Sequence, residues 1–347
     1  MSKHCNHTSG AKKPVTILGG FLGSGKTTLL NNMLGQPNEL NMEIIIREYG
    51  HTPIDDKLVK AGKARVHVLA GVSMHNDPQL IVYGLLSDLH SRSQEINPAY
   101  RSIAPAGFEC LLMEASGLDS PEFLVQLFFL HHIRDIYRLD SYITVVDAEY
   151  GHLNFDEYRV AREQVAFADI ILLNKTDLAD EAGIVSLEQR IRKINPIARL
   201  YRTRYGQIEL SQLLNTGFHN SIPSRGELLF LLRVADLNNP RKDGGHVDSI
   251  RTIVLSEKQP LDKDKVNEWI QNLFENRGLK ILRSKGFLYF AGSEHRYEFQ
   301  AVRKTFHSKA DRYWESGEER GSVIVLIGEE LDDARDLQNS FSACRAR

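Results

Sequence analysis

Residues 14–36 read PVTILGGFLGSGKTTLLNNMLGQ, and this stretch decides the architecture. Residues 15–18 form a short apolar run of strand length, while Leu29, Leu30 and Met33 fall at helical spacing behind the glycines. Between them lies Gly20-Phe-Leu-Gly-Ser-Gly25-Lys26-Thr27, a complete G-x-x-x-x-G-K-[ST]. Glycines at that spacing let backbone N–H groups wrap a chain of phosphates, and the following helix points its positive dipole end at the same place. In such a loop the lysine reaches the β- and γ-phosphates and the hydroxyl ligates Mg²⁺, roles that fall here on Lys26 and Thr27. The candidate phosphate-binding residues are Gly20, Gly23, Ser24, Gly25, Lys26, Thr27 and Thr28.

A phosphate loop needs an acidic partner for its metal at the end of another buried strand. Residues 108–113 are such a run and lead into Glu114-Ala-Ser-Gly117. Glu114 is placed to hold Mg²⁺ directly or through water, and Gly117 to let backbone approach a γ-phosphate. Further along, residues 169–173 form an apolar strand followed at once by Asn174-Lys175-Thr176-Asp177. An aspartate there accepts both the N1–H and the exocyclic amine of guanine, a pair that adenine does not offer. Asn174 either bonds the guanine edge or ties this loop to the phosphate loop, and the Lys175 stem covers the base face. The expected ligands are GTP or GDP with Mg²⁺.

The remaining periodicity fits the same picture. Residues 43–46, 141–146 and 197–201 read as further strands, and 121–137 and 149–168 as helices. The alternation predicts a doubly wound α/β domain with a mostly parallel sheet over residues 13–215, its ligand at the carboxyl ends of the strands. Residues 1–12 read as a disordered tail and 216–247, with their Asn-Asn-Pro and Asp-Gly-Gly breakers, as a connector. Residues 248–347 predict a smaller α+β domain. Its strands fall at 249–255, 281, 287–291, 297–302 and 323–327, its helices at 261–274 and 331–341, and antiparallel pairing is expected. Basic residues among aromatics between Arg277 and Lys309 read as a solvated face rather than a nucleic-acid surface.

Composition sets the outer limits. A chain of 347 residues, 42% hydrophobic and 25% charged, is long enough for two cores. No apolar run reaches the roughly 20 residues of a membrane span, and the N-terminus has no apolar signal region. Cys5, Cys110 and Cys344 are too few for a disulfide framework, which suggests a reduced, cytoplasmic setting. A net charge of -2 gives no general attraction to nucleic acid or acidic membrane.

These motifs together resemble the CobW-like GTPases of the SIMIBI class, a family of metallochaperones and metalloenzyme activators. The matching stretches are GGFLGSGKTTLL, REYGHTPIDDKLV (47–59), LLMEASGLDSP (111–121), TVVDAEYG (144–151), FADIILLNKTDL (167–178), KINPIARL (193–200), RSKGFLYFAG (283–292) and VLIGEELD (325–332). They cover nearly the whole chain. The resemblance implies slow GTP hydrolysis coupled to a shape change, used to deliver a metal or activate a client metalloenzyme. It places Glu48 and Asp55 in the segment that answers to the γ-phosphate, where one of them positions Mg²⁺ or the attacking water. Homo-oligomerisation is left open.

Two departures stand out. Where the resemblance leads one to read Asn-Glu-Phe-Gly-Glu, this chain has Arg47-Glu48-Tyr49-Gly50-His51, and Arg47 reads as a surface residue after a strand. The family's Cys-x-Cys-Cys, directly after Gly71, falls on Val72, Met74 and His75. Thiolates hold Zn²⁺ or Co²⁺ tightly, whereas valine cannot ligate and methionine is weak, so His75 is the one competent ligand there. Glu48, His51 and His75, or His4 with Cys5 and His7, are the remaining candidate metal sets. The expected form is therefore a GTP-driven switch with weakened or lost thiolate metal delivery. The competing expectations are a GTP-binding interaction module with little hydrolysis and, less well supported, a small-molecule kinase.

Overall fold

Strand β1 (Lys13–Gly20) is buried from Val15 onward, so both of its faces are covered, as in the middle of a parallel sheet. It pairs in parallel with β4 (Cys110–Glu114) on one side and β5 (Tyr137–Asp147) on the other. Strands β2 (Met42–Glu48), β3 (Arg65–Ala70), β6 (Ile170–Asn174) and β7 (Arg199–Arg202) complete a seven-stranded sheet of order β3-β2-β4-β1-β5-β6-β7. Every pairing in it is parallel. Strand order reverses at β1, so a crevice opens beyond the carboxyl ends of β1 and its neighbours. The computed structural model describes residues 12–37, 40–48, 64–70, 82–87, 89, 108–219, 250–278, 280–329, 331 and 334–346.

Helices cover both faces of this sheet. α1 (Lys26–Gly35) buries Leu29, Leu30 and Met33 on one, as its periodicity requires. The expected helix at 121–137 is instead α2 (Pro121–Gln126), a 3₁₀ turn (Leu127–Phe129) and α3 (His131–Ile136). Leu130 is extended, and Tyr137 already belongs to β5, where its backbone pairs with Lys13. The expected helix at 149–168 is likewise divided, into α4 (Gly151–Glu157) and α5 (Arg159–Phe167). The break falls at Tyr158, whose extended backbone (φ -119°, ψ 111°) accompanies a ring tilted against Phe21 of the phosphate loop, centroids 4.6 Å apart. There a tertiary contact overrides helix propensity. α6 (Glu181–Ile194) is capped by Asp180, which accepts from Gly183 N.

The second sheet is antiparallel, as expected, with order β11-β10-β9-β12-β8. Its strands are β8 (Ile250–Glu257), β9 (Ile281–Tyr289), β10 (His295–Val302), β11 (Thr305–Tyr313) and β12 (Ser322–Glu329). α7 (Lys263–Arg277) and α8 (Ala334–Ser342) cover one face. The other face joins the first domain: Leu282, Phe287, Val302, Val323 and Val325 share one apolar core with Ala161 and Val165 of α5 and Ile191 of α6.

The basic stretch between Arg277 and Lys309 departs in part from the expected solvated face: Lys280, Lys304 and Lys309 are exposed, but Arg283 and Lys285 are buried in this interface. Both meet Asp169, the residue just before β6. Arg283 donates to Asp169 and to Phe167 O, and Lys285 Nζ lies 2.6 Å from Asp169 Oδ1. Tyr142 N donates to Asp169 Oδ2 (2.9 Å), and His219 Nδ1 lies 3.1 Å from the same oxygen. Burial alone would raise the Asp169 pKa; Arg283, Lys285 and His219 outweigh it and hold the carboxyl well below the usual range. Burial, reinforced by Arg283, pushes Lys285 down to about 8, and burial takes His219 down to about 4 against the pull of Asp169.

Candidate nucleotide site

The phosphate loop follows β1 directly into α1. Gly25 precedes the helix at φ 104°, and a Cβ there would collide with the amide of Asn174, so only glycine serves. Lys26 is buried, and its Nζ donates to Gly20 O (2.8 Å) and Phe21 O (3.2 Å). Burial lowers the Lys26 pKa, opposed by the charges of Glu114 and Asp119. Ser24 Oγ is buried and has no hydrogen-bond partner among the described residues. A curled-back ammonium and an unsatisfied hydroxyl in a glycine cradle fit a phosphate chain. Thr27 Oγ1 donates to Glu114 Oε1 across 3.4 Å, which brings together two oxygen ligands of the kind that suits Mg²⁺. Thr28, third in α1, is exposed.

Beyond Glu114 the chain turns back on the phosphate loop. A Cβ on Gly117 would lie 2.8 Å from Leu22 N and 3.0 Å from Leu22 Cα, so a side chain there would separate the two loops. Ala115 N donates to Leu18 O (2.9 Å), and Ser116 N to Asp119 Oδ2 (3.0 Å). From α5, Gln164 Nε2 donates to Gly117 O (3.1 Å) and Asp119 O (3.2 Å). Arg47 corrects its sequence reading. It lies within β2, 5% exposed, with Nη1 3.1 Å from Asp119 Oδ2 and its guanidinium 4.9 Å from the Phe123 ring centroid.

Glu48 ends β2, paired in register with Ala70 of β3. Asp55, His51, Val72, Met74, His75, His4, Cys5 and His7 lie outside the described residues. Among the described residues no three His, Cys, Asp or Glu side chains form a group able to hold a metal ion. No helix among them is long and apolar enough to cross a membrane.

The expected base-side residues sit together at the end of β6. Asn174 is 1% exposed and binds three ways: Nδ2 donates to Ser24 O (3.1 Å), and Oδ1 accepts from Thr203 Oγ1 (3.1 Å) and Gly206 N (2.9 Å). Of its two expected roles, the structure displays the tie to the phosphate loop. Lys175, at φ 60°, places Nζ 2.7 Å from Asp147 Oδ2. Asp177 is exposed and makes no hydrogen bond or ion pair among the described residues, leaving its carboxylate open. The segment Thr203-Arg-Tyr-Gly206 is a component the sequence reading missed. It is held by Asn174, by Thr176 Oγ1 on Thr203 O (3.1 Å) and by Asn32 on Tyr205 O. Its signal was a polar turn ending in glycine after a strand, too common to single out.

Residues 14–202 match the family described as CobW/HypB/UreG, nucleotide-binding domain, and residues 250–345 match the cobalamin synthesis protein cobW C-terminal domain. The zinc chaperone YjiA of Escherichia coli (strain K12) is 31% identical over 340 residues, covering 95% of this chain and 98% of that protein. The zinc chaperone CobW of Pseudomonas aeruginosa is 28% identical, over 93% of this chain and 89% of its own. The zinc-regulated GTPase metalloprotein activator 1 of Dictyostelium discoideum is also 28% identical, over 81% of this chain and 64% of its own. The crystal structure of Zn(II)-bound YjiA GTPase from E. coli superposes with a TM-score of 0.71 at 28% identity, covering 97% of this chain and all of that one. The chain belongs to the CobW/HypB/UreG family: it is a P-loop GTPase whose nucleotide-binding domain is joined to a CobW C-terminal domain.

Proposed function

We propose that this GTPase is a nucleotide-driven switch that supports metal delivery to, or activation of, a client metalloprotein. One observation carries the reading: the likeness to a zinc chaperone runs through both domains, over 95% of the chain, and includes the cradle described above. In this reading Lys26 leaves the carbonyls of Gly20 and Phe21 for the β- and γ-phosphates, and Ser24 Oγ gains its missing partner. Thr27 and Glu114 hold Mg²⁺, which when bound offsets charge on the phosphate oxygens. The Gly117 backbone meets the γ-phosphate, and Glu48 or Asp55 positions Mg²⁺ or the attacking water. Asp177 selects guanine, while Asn174 fixes the loops on either side of the base.

The metal is cargo, and zinc is favoured by the names of the relatives. Of the three positions where the family resemblance carries cysteines, only His75 offers a strong ligand here, which supports a looser hold on the ion than a thiolate set gives. The setting proposed is the reduced cytoplasm, consistent with Cys110 and Cys344 as buried free thiols.

Two measurements test this. Steady phosphate release from GTP with Mg²⁺ is expected; its absence would leave a GTP-binding interaction module. Capture of a metalloprotein from lysate by the protein loaded with a non-hydrolysable GTP analogue, with zinc in the captured complex, is the second expectation. Equal capture with GDP, and no metal, would count against the switch. Equilibrium dialysis with Zn²⁺, Co²⁺ and Ni²⁺ is expected to show no tight site dependent on His75; one that is lost in His75→Ala would overturn the looser-hold reading.

A further inference from the structure

Asp147 and Asn174 are the last register pair of β5 and β6, and Ala148 N still donates to Asn174 O at 2.9 Å. Just past that pair Lys175 leaves the strand at φ 60°, in the left-handed region that non-glycine residues seldom adopt. Its side chain turns back onto β5, where Nζ lies 2.7 Å from Asp147 Oδ2. The Asp147 side chain is 4% exposed and that of Lys175 31%, so the lysine stem keeps an open side. The other carboxylate oxygen, Oδ1, accepts from Glu149 N (2.9 Å) and Tyr150 N (3.3 Å). Both oxygens are thus engaged, which leaves the guanine N–H groups to Asp177. A charge-assisted hydrogen bond of this kind holds an otherwise flexible side chain in one place.

We infer that Asp147 is a positioning residue for the nucleotide base: it holds the Lys175 ammonium at the end of β5, so that the lysine stem stands as a preformed wall for the guanine face. The inference rests on the GTPase reading above, with Lys175 as the residue that covers the base. A free lysine loses rotamer freedom when a ligand packs on its stem, and that loss weakens binding. Here the ion pair orders the stem before the nucleotide arrives, so the cost falls on folding rather than on binding. Held by Asp147, the ammonium also leaves the phosphates to Lys26. The stem meets the base and not the phosphates, so the effect is the same for GTP and GDP. It is absent for a ligand that carries phosphates without a base.

The test uses the full chain with Mg²⁺ and reads its affinity for GDP, for a non-hydrolysable GTP analogue and for inorganic pyrophosphate. Asp147→Asn keeps an oxygen for Glu149 N and Tyr150 N but releases the ammonium. It is expected to weaken GDP and the analogue alike by on the order of tenfold, and pyrophosphate by less than about twofold, the scale of ordering one long side chain on binding. The same exchange beside Lys175→Met, which keeps the stem and removes the ammonium, is expected to change GDP affinity by less than about twofold, since the pair is already broken. An unchanged GDP affinity in Asp147→Asn would overturn the inference. So would an equal loss in the Lys175→Met background, which assigns the effect to the Glu149–Tyr150 turn, or an equal loss of pyrophosphate, which assigns it to the fold. Should Asp147→Asn not fold, Asp147→Ser, whose hydroxyl also accepts from the turn, takes its place under the same outcomes. Absence of GDP binding in the wild type would overturn the GTPase reading and the inference with it; a wild type that binds and a variant that matches it count against the inference alone.

Discussion

Asn174 shows how much of the site hangs on single side chains. Its amide joins the phosphate loop, the guanine-side loop and the Thr203–Gly206 turn through three buried hydrogen bonds. Asn174→Ala strands their partners, and a loss of roughly 2–4 kcal/mol in denaturant unfolding is expected. Weaker binding of both GTP and GDP should accompany it. Asp177 is expected to act by chemistry alone. Asp177→Asn exchanges an acceptor for a donor, so the preference should move from guanine to xanthine, whose C2 carbonyl accepts where the guanine amine donates. Competition between GTP and XTP checks this, and an unmoved preference would remove Asp177 from the base site. At this scale the turn from β1 into α1 was legible because the glycine spacing dictates it. Arg47 was not, since a charge at a strand end reads as surface until Asp119, 72 positions on, is found opposite it.

α5 is the element on which the two domains meet. One side presents Gln164 to the carbonyls of Gly117 and Asp119. The other faces the C-terminal sheet, where Arg159 pairs with Glu329 (2.8 Å), Glu163 with Arg303 (3.6 Å), and Phe167 O accepts from Arg283. Arg303 also reaches Glu122 of α2 at 2.8 Å. Gln164→Leu keeps the apolar packing and removes both donors to the turn. It is expected to slow single-turnover GTP hydrolysis by roughly tenfold while GDP affinity changes little; equal falls in both would make the residue structural only. The period-based reading recovered most elements but not the Tyr158 break, because the Phe21 ring packed against Tyr158 is remote in sequence. It also missed β11, an edge strand whose TFHSKADRY is polar and mostly exposed and so lacks alternation.

Across the whole molecule, the Asp169 cluster fastens the C-terminal sheet to the strand that leads into the guanine loop. Asp169→Ala leaves Arg283 and Lys285 buried without their carboxylate, and a loss of about 3–5 kcal/mol is expected in denaturant unfolding. The pH dependence has a definite sign. His219 falls to about 4 in the folded protein from an unfolded 6.5, so between those values the unfolded chain binds more protons. Stability is therefore expected to drop as pH falls from 6.5 toward 4, and further below that as Asp169, also depressed, becomes protonated. His219→Gln should flatten the upper part of that fall, measured as denaturant midpoint against pH. Both domains were legible from strand and helix periods, whereas their junction was not. Lysine and arginine on a strand carry no mark of the aspartate they will meet. The central proposal, a nucleotide-driven switch, is tested most directly by amide hydrogen exchange with a non-hydrolysable GTP analogue against GDP. The account predicts altered protection in residues 115–119, in α5 and at the β10–β11 turn around Arg303. Changes confined to the phosphate and guanine loops would contradict it.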